Sequence, residues 1–192
     1  MSTYRELLQQ AGMQLEAVGV PEAAIDAWYL LEYVTGMNRA AYFMKSSEEM
    51  PEEQQTVFTE LLEKRKQRIP LQYITGSQEF MGYEFLVSPS TLIPRQDTEI
   101  LVEEVRPWAD GKKVLDLCTG TGCILLSLAK LCTLKQAVGT DISSVAIETA
   151  KKNAKRKNPS DGFLACLQDS YSCACDCLRP PDRRRHRKLK TS

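Results

Sequence analysis

Two glycines and a later carboxylate are spaced as in sites that bind a nucleoside. Gly120 and Gly122 follow a short, mostly apolar run at 114–117, and glycine lets the backbone approach a ligand closely because it carries no Cβ. Asp141 comes about twenty residues later, where dinucleotide-binding folds place an acid that accepts from ribose hydroxyls. A glycine turn alone also serves plain strand-to-helix packing. Strand, glycine turn, helix and spaced acid together favour ligand binding.

The residues around the glycines distinguish between nucleoside ligands. The dinucleotide fingerprint has a third glycine three residues after the second, where this chain has Leu125. Asp116 precedes the glycines and can accept hydrogen bonds from water or from a ligand ammonium, whereas it repels a pyrophosphate that approaches the same turn. Capping of the local backbone at the strand end is the alternative role for Asp116. The pattern disfavours a nicotinamide dinucleotide.

Residues 116–122, Asp-Leu-Cys-Thr-Gly-Thr-Gly, followed by Asp141, resemble the first two motifs of class I methyltransferases that use S-adenosylmethionine. Further motifs precede them: Pro-Leu-Gln-Tyr-Ile-Thr-Gly at 70–76, Glu-Phe at 79–80, Gly-Tyr at 82–83, Phe85, and Ile-Pro-Arg-Gln-Asp-Thr-Glu at 93–99. With these motifs in order, the chain from about residue 3 to about residue 158 resembles the release-factor glutamine methyltransferases, the HemK/PrmC family. Gln96 stands where many relatives have proline.

The resemblance implies an enzyme that transfers a methyl group from S-adenosyl-L-methionine to N5 of the glutamine in the Gly-Gly-Gln motif of peptide chain release factors. It places substrate contacts at Arg95 and Glu99. A salt bridge at the domain junction, with Glu99 as a partner, is the alternative role for Arg95. The cofactor-binding residues implied by the matching motifs are Asp116, Cys118, Thr119, Gly120, Thr121, Gly122, Asp141 and Ile142.

The chain is predicted to be an α/β protein with an N-terminal helical bundle, a β-hairpin linker and an incomplete class I, Rossmann-like methyltransferase domain. Apolar residues at helical spacing predict helices over 1–70, and the resemblance makes this the substrate-docking domain. Aromatic residues interrupted by glycines predict the hairpin over 71–92. Alternating strands and helices over 93–165 predict a parallel sheet with the S-adenosylmethionine site at its carboxyl ends. Residues 166–192 are predicted to be an irregular tail, disordered or out of frame.

The motif that carries catalysis in this family has no match in the 192 residues. The resemblance leads us to expect Asn-Pro-Pro-Tyr after a later strand, where the asparagine side chain and a proline carbonyl orient the substrate amide. This chain has Arg-Pro-Pro-Asp at 179–182, and arginine cannot accept the amide hydrogens. We therefore predict no catalytic residue in this chain. Back-translation of 175–182 in another frame permits a sequence close to Val-Ser-Asn-Pro-Pro, so truncation or a frameshift after about residue 160 is expected.

Cysteines and basic residues in the tail allow two other interpretations. Cys173, Cys175 and Cys177 do not have the paired two-residue spacing of ordinary structural zinc sites, so no metal site is predicted. The basic run at 183–188 could bind RNA, although a tail of this kind is more often a solvated one.

The overall composition narrows the function classes. A formal net charge of zero gives no global attraction to nucleic acid or to a membrane surface. No apolar run reaches the length of a membrane span, and the N-terminus lacks the apolar core of a signal peptide. A cytoplasmic protein without membrane contact or direct nucleic-acid binding is therefore expected.

Three functions stay open. The chain is an active release-factor glutamine methyltransferase, a catalytically inactive fragment that binds a release factor or the cofactor, or a nucleic-acid adenine N6-methyltransferase. The Pro-Leu-Gln-Tyr-Ile motif at 70–74 and the Ile-Pro-Arg motif at 93–95 argue against the third.

Overall fold

The computed structural model describes residues 2–157 and 165–168, and the chain divides into two compact units between Ser77 and Gln78. The first unit is helical. Its helices are α1 (Tyr4–Ala17), α2 (Ala23–Thr35), α3 (Arg39–Lys45), α4 (Glu52–Lys66) and α5 (Leu71–Thr75). Within the described residues, none of the helices combines the length and the apolar character needed to cross a bilayer.

Local side chains set the helix ends in the first unit. Thr3 and Glu6 form a capping box, because Thr3 Oγ1 accepts from Glu6 N at 3.2 Å and Glu6 Oε2 accepts from Thr3 N at 2.9 Å. Asn38 caps α3 through its side-chain oxygen, which accepts from Ala41 N at 2.9 Å. Gly36 ends α2 in the left-handed conformation, with a φ of 67°.

Helices α1, α2 and α4 pack together around one apolar core. Trp28 is 3% exposed and packs edge-on against Tyr42, with the ring centroids 5.3 Å apart. The guanidinium carbon of Arg39 lies 4.0 Å from the centroid of the Trp28 ring. Trp28 is therefore a core residue, as its residue type predicts. Fully buried neighbours in the same core are Leu15, Leu30, Leu31, Met50 and Phe58.

Asp26 and Arg65 form a largely buried ion pair between α2 and α4. Arg65 Nε donates to Asp26 Oδ2 at 2.6 Å, and the Arg65 and Asp26 side chains are 15% and 12% exposed. Replacing Asp26 with alanine is expected to lower the free energy of unfolding by about 2 kcal/mol, because the guanidinium stays buried without its carboxylate. Urea denaturation of the two chains measures the difference.

Glu63 provides the matched control on the same helix. Its carboxylate pairs with Lys66 at 2.6 Å at the surface, where the Glu63 side chain is 52% exposed. Glu63→Ala is expected to change the free energy of unfolding by less than about 0.5 kcal/mol, because exposed ion pairs contribute little. Equal effects of the Asp26 and Glu63 substitutions would contradict the role given to the buried pair.

A two-stranded hairpin follows the helices, and it is shorter than the sequence predicts. Strands β1 (Ser77–Phe80) and β2 (Tyr83–Leu86) pair with each other, whereas 71–75, predicted as hairpin, form the single turn of α5. The residues that border this turn explain the difference. Pro70 precedes it and Gly76 ends it with a φ of 78°, and both residue types are also common in β-turns.

The hairpin belongs to the core of the second unit. Phe80 and Phe85 are each 1% exposed and their rings meet edge-on with centroids 6.1 Å apart. They share this core with Val102 of α6 (Asp97–Ala109), which is 0% exposed. Trp108, near the end of α6, is by contrast 79% exposed.

A parallel sheet of three strands with two helices completes the described part of the second unit. The elements are β3 (Lys113–Leu117), α7 (Cys123–Leu131), β4 (Gln136–Thr140), α8 (Ser144–Lys157) and β5 (Ala165–Gln168). The strand order is β3-β4-β5, and the register of the first pair ends with Leu117 opposite Thr140. Because the strands are parallel, the carboxyl ends of β3 and β4 lie at the same edge of the sheet.

Strand β5 extends into the range that the sequence predicted as irregular. It pairs with β4 through residues 165–168, so 166–168 are strand and not tail. Four residues, Ala-Cys-Leu-Gln, are too few to show the alternation from which a strand is predicted. The remainder of the predicted tail, 169–192, with its cysteines and its Arg-Pro-Pro-Asp motif, lies outside the described residues.

Candidate functional site

The loop between β3 and α7 carries the two glycines, and its backbone continues the sheet. Thr119 N donates to Thr140 O at 2.8 Å, just beyond the last register pair of β3 and β4. Gly122 N donates back to Thr119 O at 2.8 Å and closes the turn into α7. Gly120 and Gly122 have φ values of 56° and 79°, which only glycine adopts without strain. The loop is thus fixed by the sheet on one side and by the helix on the other.

The two glycines differ in their surroundings. A Cβ at Gly120 would meet no heavy atom within 4 Å, so the backbone there borders open space that a ligand can enter. A Cβ at Gly122 would lie 3.1 Å from Leu126 Cδ1 and 3.3 Å from Ala150 Cβ. Gly120 therefore suits close approach of a ligand, whereas Gly122 permits tight packing of α7 against α8.

Asp141 follows β4 and joins the loop to the start of α8. Its Oδ2 accepts from Gly120 N at 2.9 Å, and its Oδ1 accepts from Ser143 N at 2.9 Å. A carboxylate has about four acceptor sites, so Asp141 can still accept from a ligand hydroxyl. Ile142 beside it is 76% exposed and offers an apolar surface at this edge. Asp141 fixes the glycine loop and keeps hydrogen-bonding capacity for a ligand.

Asp116, in β3, is near enough to Asp141 for their charges to interact. Thr119 Oγ1 donates to Asp116 Oδ2 at 2.7 Å. Burial raises the pKa of the Asp116 carboxyl, the Thr119 hydrogen bond lowers it, and the charge of Asp141 raises it again. Within residues 2–157, neither carboxylate has a cationic side chain in ion-pair contact. Such a pair favours a ligand that brings positive charge.

Replacing Asp116 with asparagine is expected to stabilise the chain near pH 8 and to lose this advantage as the pH falls. Burial raises the pKa of Asp116 above its ordinary value of 3.8, so ionisation opposes folding. The penalty is complete above the folded-state pKa, shrinks as the pH falls through it, and vanishes below the unfolded-state pKa. Urea denaturation of both chains at several pH values between about 8 and 4.5 measures it. An advantage that grows toward acid pH would contradict the assignment.

A buried asparagine that the sequence analysis did not single out also contacts the loop. Asn153 of α8 is 0% exposed, and its Nδ2 donates to Thr121 O at 3.0 Å. In the sequence, Asn153 lies among charged residues near the end of α8, and this context suggests a solvent-exposed side chain. The available signal was its spacing, because Asn153 lies three residues after Ala150 and seven after Ala146, both of which are buried.

Two family models match the chain, one in each unit. The PrmC N-terminal domain matches residues 6–76, and a methyltransferase domain matches residues 109–174. The first covers the helices of the first unit, and the second covers β3, the glycine loop, Asp141 and β5.

Curated relatives agree with both models. A release factor glutamine methyltransferase of Geobacter sulfurreducens is 39% identical over 155 residues, which are 80% of this chain and 55% of the relative. Those of Shewanella oneidensis and Agrobacterium fabrum are 40% and 36% identical, over 79% and 84% of this chain and 54% and 58% of the relatives. Over both of its units, the chain is similar to release factor glutamine methyltransferases. It spans about half the length of the curated relatives it matches.

The fold is α/β, with a helical unit and part of a Rossmann-like methyltransferase domain, which confirms the sequence-based prediction. Among solved structures, the tRNA (uracil-54, C5)-methyltransferase of Pyrococcus abyssi in complex with S-adenosyl-L-homocysteine covers 47% of this chain and 23% of its own, at 25% identity and a TM-score of 0.39.

In the described part of the chain, neither of the two residues predicted to contact substrate, Arg95 and Glu99, hydrogen-bonds to the glycine loop. Glu99 Oε1 accepts from Met81 N at 2.6 Å, at the turn between β1 and β2 where Met81 has a φ of 53°. Arg95 is exposed, and no ion pair joins it to Glu99 or to any other carboxylate within the described ranges. Glu99 therefore stabilises the hairpin turn, and substrate contact by Arg95 and by Glu99 stays a prediction.

The remaining predicted cofactor residues lie in the loop itself. Cys118 is an exposed free thiol with a φ of 62°, and Thr121 is 2% exposed, with its carbonyl held by Asn153. Within the part of the chain that the structure describes, no group of three or more His, Cys, Asp or Glu side chains could hold a metal ion. The eight predicted residues thus share one edge of the sheet, and their contact with a cofactor remains a prediction.

Proposed function

We propose that the second unit binds S-adenosyl-L-methionine at the carboxyl ends of β3 and β4. The observation that carries the proposal is the pair of interacting carboxylates, Asp116 and Asp141, beside a glycine backbone that borders open space. S-adenosylmethionine carries an ammonium and a sulfonium, and a cation bound here would offset the repulsion between the two acids. The match to a methyltransferase domain over residues 109–174 supports this ligand class.

Each residue of the site has a binding role that its chemistry permits. Asp141 accepts from ribose hydroxyls with its free lone pairs, and Gly120 allows the ligand to approach the backbone. Ile142 gives an apolar contact for the base. Asp116 attracts the ligand ammonium. Cys118, Thr119, Thr121 and Gly122 complete the loop.

We further propose that the protein methylates N5 of the glutamine in the Gly-Gly-Gln motif of peptide chain release factors. The names and identities of the curated relatives support this substrate. When bound, the cofactor supplies an electrophilic methyl group. An amide nitrogen is a poor nucleophile because its lone pair is delocalised into the carbonyl, so orientation of the substrate amide provides most of the catalysis. Arg95 is the residue proposed to contact the release factor.

A second candidate concerns the 192-residue chain by itself. Where the family resemblance predicts Asn-Pro-Pro-Tyr, this chain has Arg-Pro-Pro-Asp at 179–182, and arginine has no acceptor for the substrate amide. We propose that this chain binds the cofactor with little or no turnover. Adenine N6-methylation of nucleic acid is disfavoured by the motifs at 70–74 and 93–95.

Calorimetric titration of the chain with S-adenosylmethionine tests the binding proposal. Saturable binding is expected, and NAD⁺ at the same concentrations should give none because its pyrophosphate would approach Asp116. Absence of S-adenosylmethionine binding, or equal binding of NAD⁺, would overturn the assignment of the ligand.

A methyl-transfer assay separates the two functional candidates. The chain is incubated with methyl-labelled cofactor and a release factor, with a release factor whose Gly-Gly-Gln glutamine is replaced by glutamate as the control. Label on the release factor with the intact Gly-Gly-Gln motif, and none on the glutamate control, supports the family activity in this chain. Cofactor binding without label on either protein supports the non-catalytic candidate.

A further inference from the structure

The Asn153 side chain contacts three backbone groups from two distant segments. Its Nδ2 donates to Thr121 O and to Leu86 O, each at 3.0 Å, and its Oδ1 accepts from Leu86 N at 2.7 Å. Thr121 lies in the glycine loop, and Leu86 is the last residue of β2. One amide in α8 thus joins the loop to the hairpin.

Burial makes these three hydrogen bonds specific to asparagine. Asn153 is 0% exposed, so water cannot replace a lost partner without entering the core. Both amide hydrogens are donated and the oxygen is used as well, which an aliphatic side chain cannot reproduce. Aspartate has the same size, but its ionised form has no hydrogen to donate to Thr121 O or Leu86 O.

Asn153 holds the glycine loop at Thr121, the residue that precedes Gly122. The two backbone groups of Gly122 are used as well, because its N donates to Thr119 O and its carbonyl accepts from Leu126 N at 2.9 Å. The loop is therefore held at Gly120 by Asp141 and at Thr121 by Asn153. Release of either contact frees one half of the turn that borders the open space at Gly120.

We propose that Asn153 is a positioning residue for cofactor binding, which holds the glycine loop in its binding conformation and couples it to the hairpin β1–β2. This inference rests on the proposed binding of S-adenosylmethionine. The hairpin is held at its turn by Glu99 and at its end by Asn153. Order imposed on the loop by a ligand is therefore transmitted to the peptide around Leu86.

The test compares Asn153→Ala and Asn153→Ser with the parent chain and with Thr149→Val. Serine is the second variant because its hydroxyl can bond to the helix carbonyl four residues earlier, so it keeps a buried polar group satisfied while being too short for both distant partners. Thr149 is the matched control. It is 7% exposed in the same helix, and its Oγ1 donates only to Val145 O at 3.0 Å. Thermal unfolding establishes that each variant is folded.

Two readouts are taken on the full chain with S-adenosylmethionine as the probe. Calorimetry is expected to show affinity at least about tenfold weaker for both Asn153 variants, which corresponds to the loss of one buried hydrogen bond. Amide hydrogen exchange follows the peptides 118–123 and 83–88. In the parent and in Thr149→Val, saturating ligand is expected to slow exchange in both peptides. In the Asn153 variants, ligand is expected to slow exchange only in 118–123, a change that a loss of general stability would not produce.

Each outcome decides the proposal. Affinities within about twofold of the parent, or ligand protection of 83–88 in both Asn153 variants, would overturn it. A parent chain that does not bind S-adenosylmethionine overturns the proposed function and, with it, the cofactor role of Asn153. In that case, amide exchange of the peptide 118–123 without ligand tests whether Asn153 joins the loop to the hairpin. Faster exchange in Asn153→Ser than in the parent supports this structural role, and unchanged exchange rejects it.

Discussion

Asp141→Ala is expected to weaken the binding of S-adenosylmethionine about 100-fold, because it removes the acceptor for the ribose and releases the loop. The variant loses the contacts from Gly120 N and Ser143 N. Hydrogen bonds to charged groups contribute about 1.5–3 kcal/mol, and about 2.7 kcal/mol corresponds to a factor of 100 in the dissociation constant. Calorimetric titration of both chains measures the two dissociation constants.

Asp110 is the matched control for Asp141. Its Oδ1 also accepts from a backbone amide, Thr133 N at 2.9 Å, but it lies outside the glycine loop and is exposed. Asp110→Ala is expected to change the affinity by less than about twofold. Asp141→Asn keeps one acceptor oxygen, so its affinity is expected to lie between those of Asp141→Ala and Asp110→Ala. Equal affinities of Asp141→Ala and the parent would place the ligand elsewhere.

Gly122→Ala is expected to lower the free energy of unfolding by about 3 kcal/mol. A residue with a Cβ is strained at a φ of 79°, which accounts for about 1 kcal/mol. The new Cβ would lie 3.1 Å from Leu126 Cδ1 and 3.3 Å from Ala150 Cβ, and overpacking of a core costs about 1–3 kcal/mol. Urea denaturation without ligand measures the loss.

Gly120→Ala separates the backbone effect from the packing effect. Gly120 also has a positive φ, of 56°, but a Cβ there would meet no atom within 4 Å. Its substitution is expected to lower the free energy of unfolding by only about 1 kcal/mol, although it narrows the space open to a ligand. A loss as large as that of Gly122→Ala would show that backbone strain, and not the contact between α7 and α8, sets the requirement for glycine.

The parts of the fold that the sequence predicts are those with local signals. The apolar run of β3, the two glycines and the start of α7 follow one another along the chain, and β4 lies within the range 93–165 where alternating strands and helices are predicted. Parallel pairing then places Asp141 at the same edge as the glycines. Local order and the topology of parallel sheets were sufficient for this part of the site.

The features that were not predicted depend on contacts between distant residues. Nothing near Glu99 in sequence indicates that its carboxylate accepts from Met81 N, eighteen residues earlier. The partners of Asn153 are 67 and 32 residues away. Helix α5 and strand β5 are too short for a periodic pattern, with five and four residues. Long-range pairing and short elements are the two kinds of information that periodicity does not contain.

The two tryptophans lie one in each unit and in opposite environments. Trp28 is 3% exposed in the helical core, and Trp108 is 79% exposed on α6. Their intrinsic fluorescence therefore reports on the two units separately, because a soluble quencher such as acrylamide reaches an exposed indole and not a buried one. Trp108→Phe leaves an emission that follows the helical unit alone. Denaturation followed by fluorescence can thus establish which unit unfolds first, without any added label.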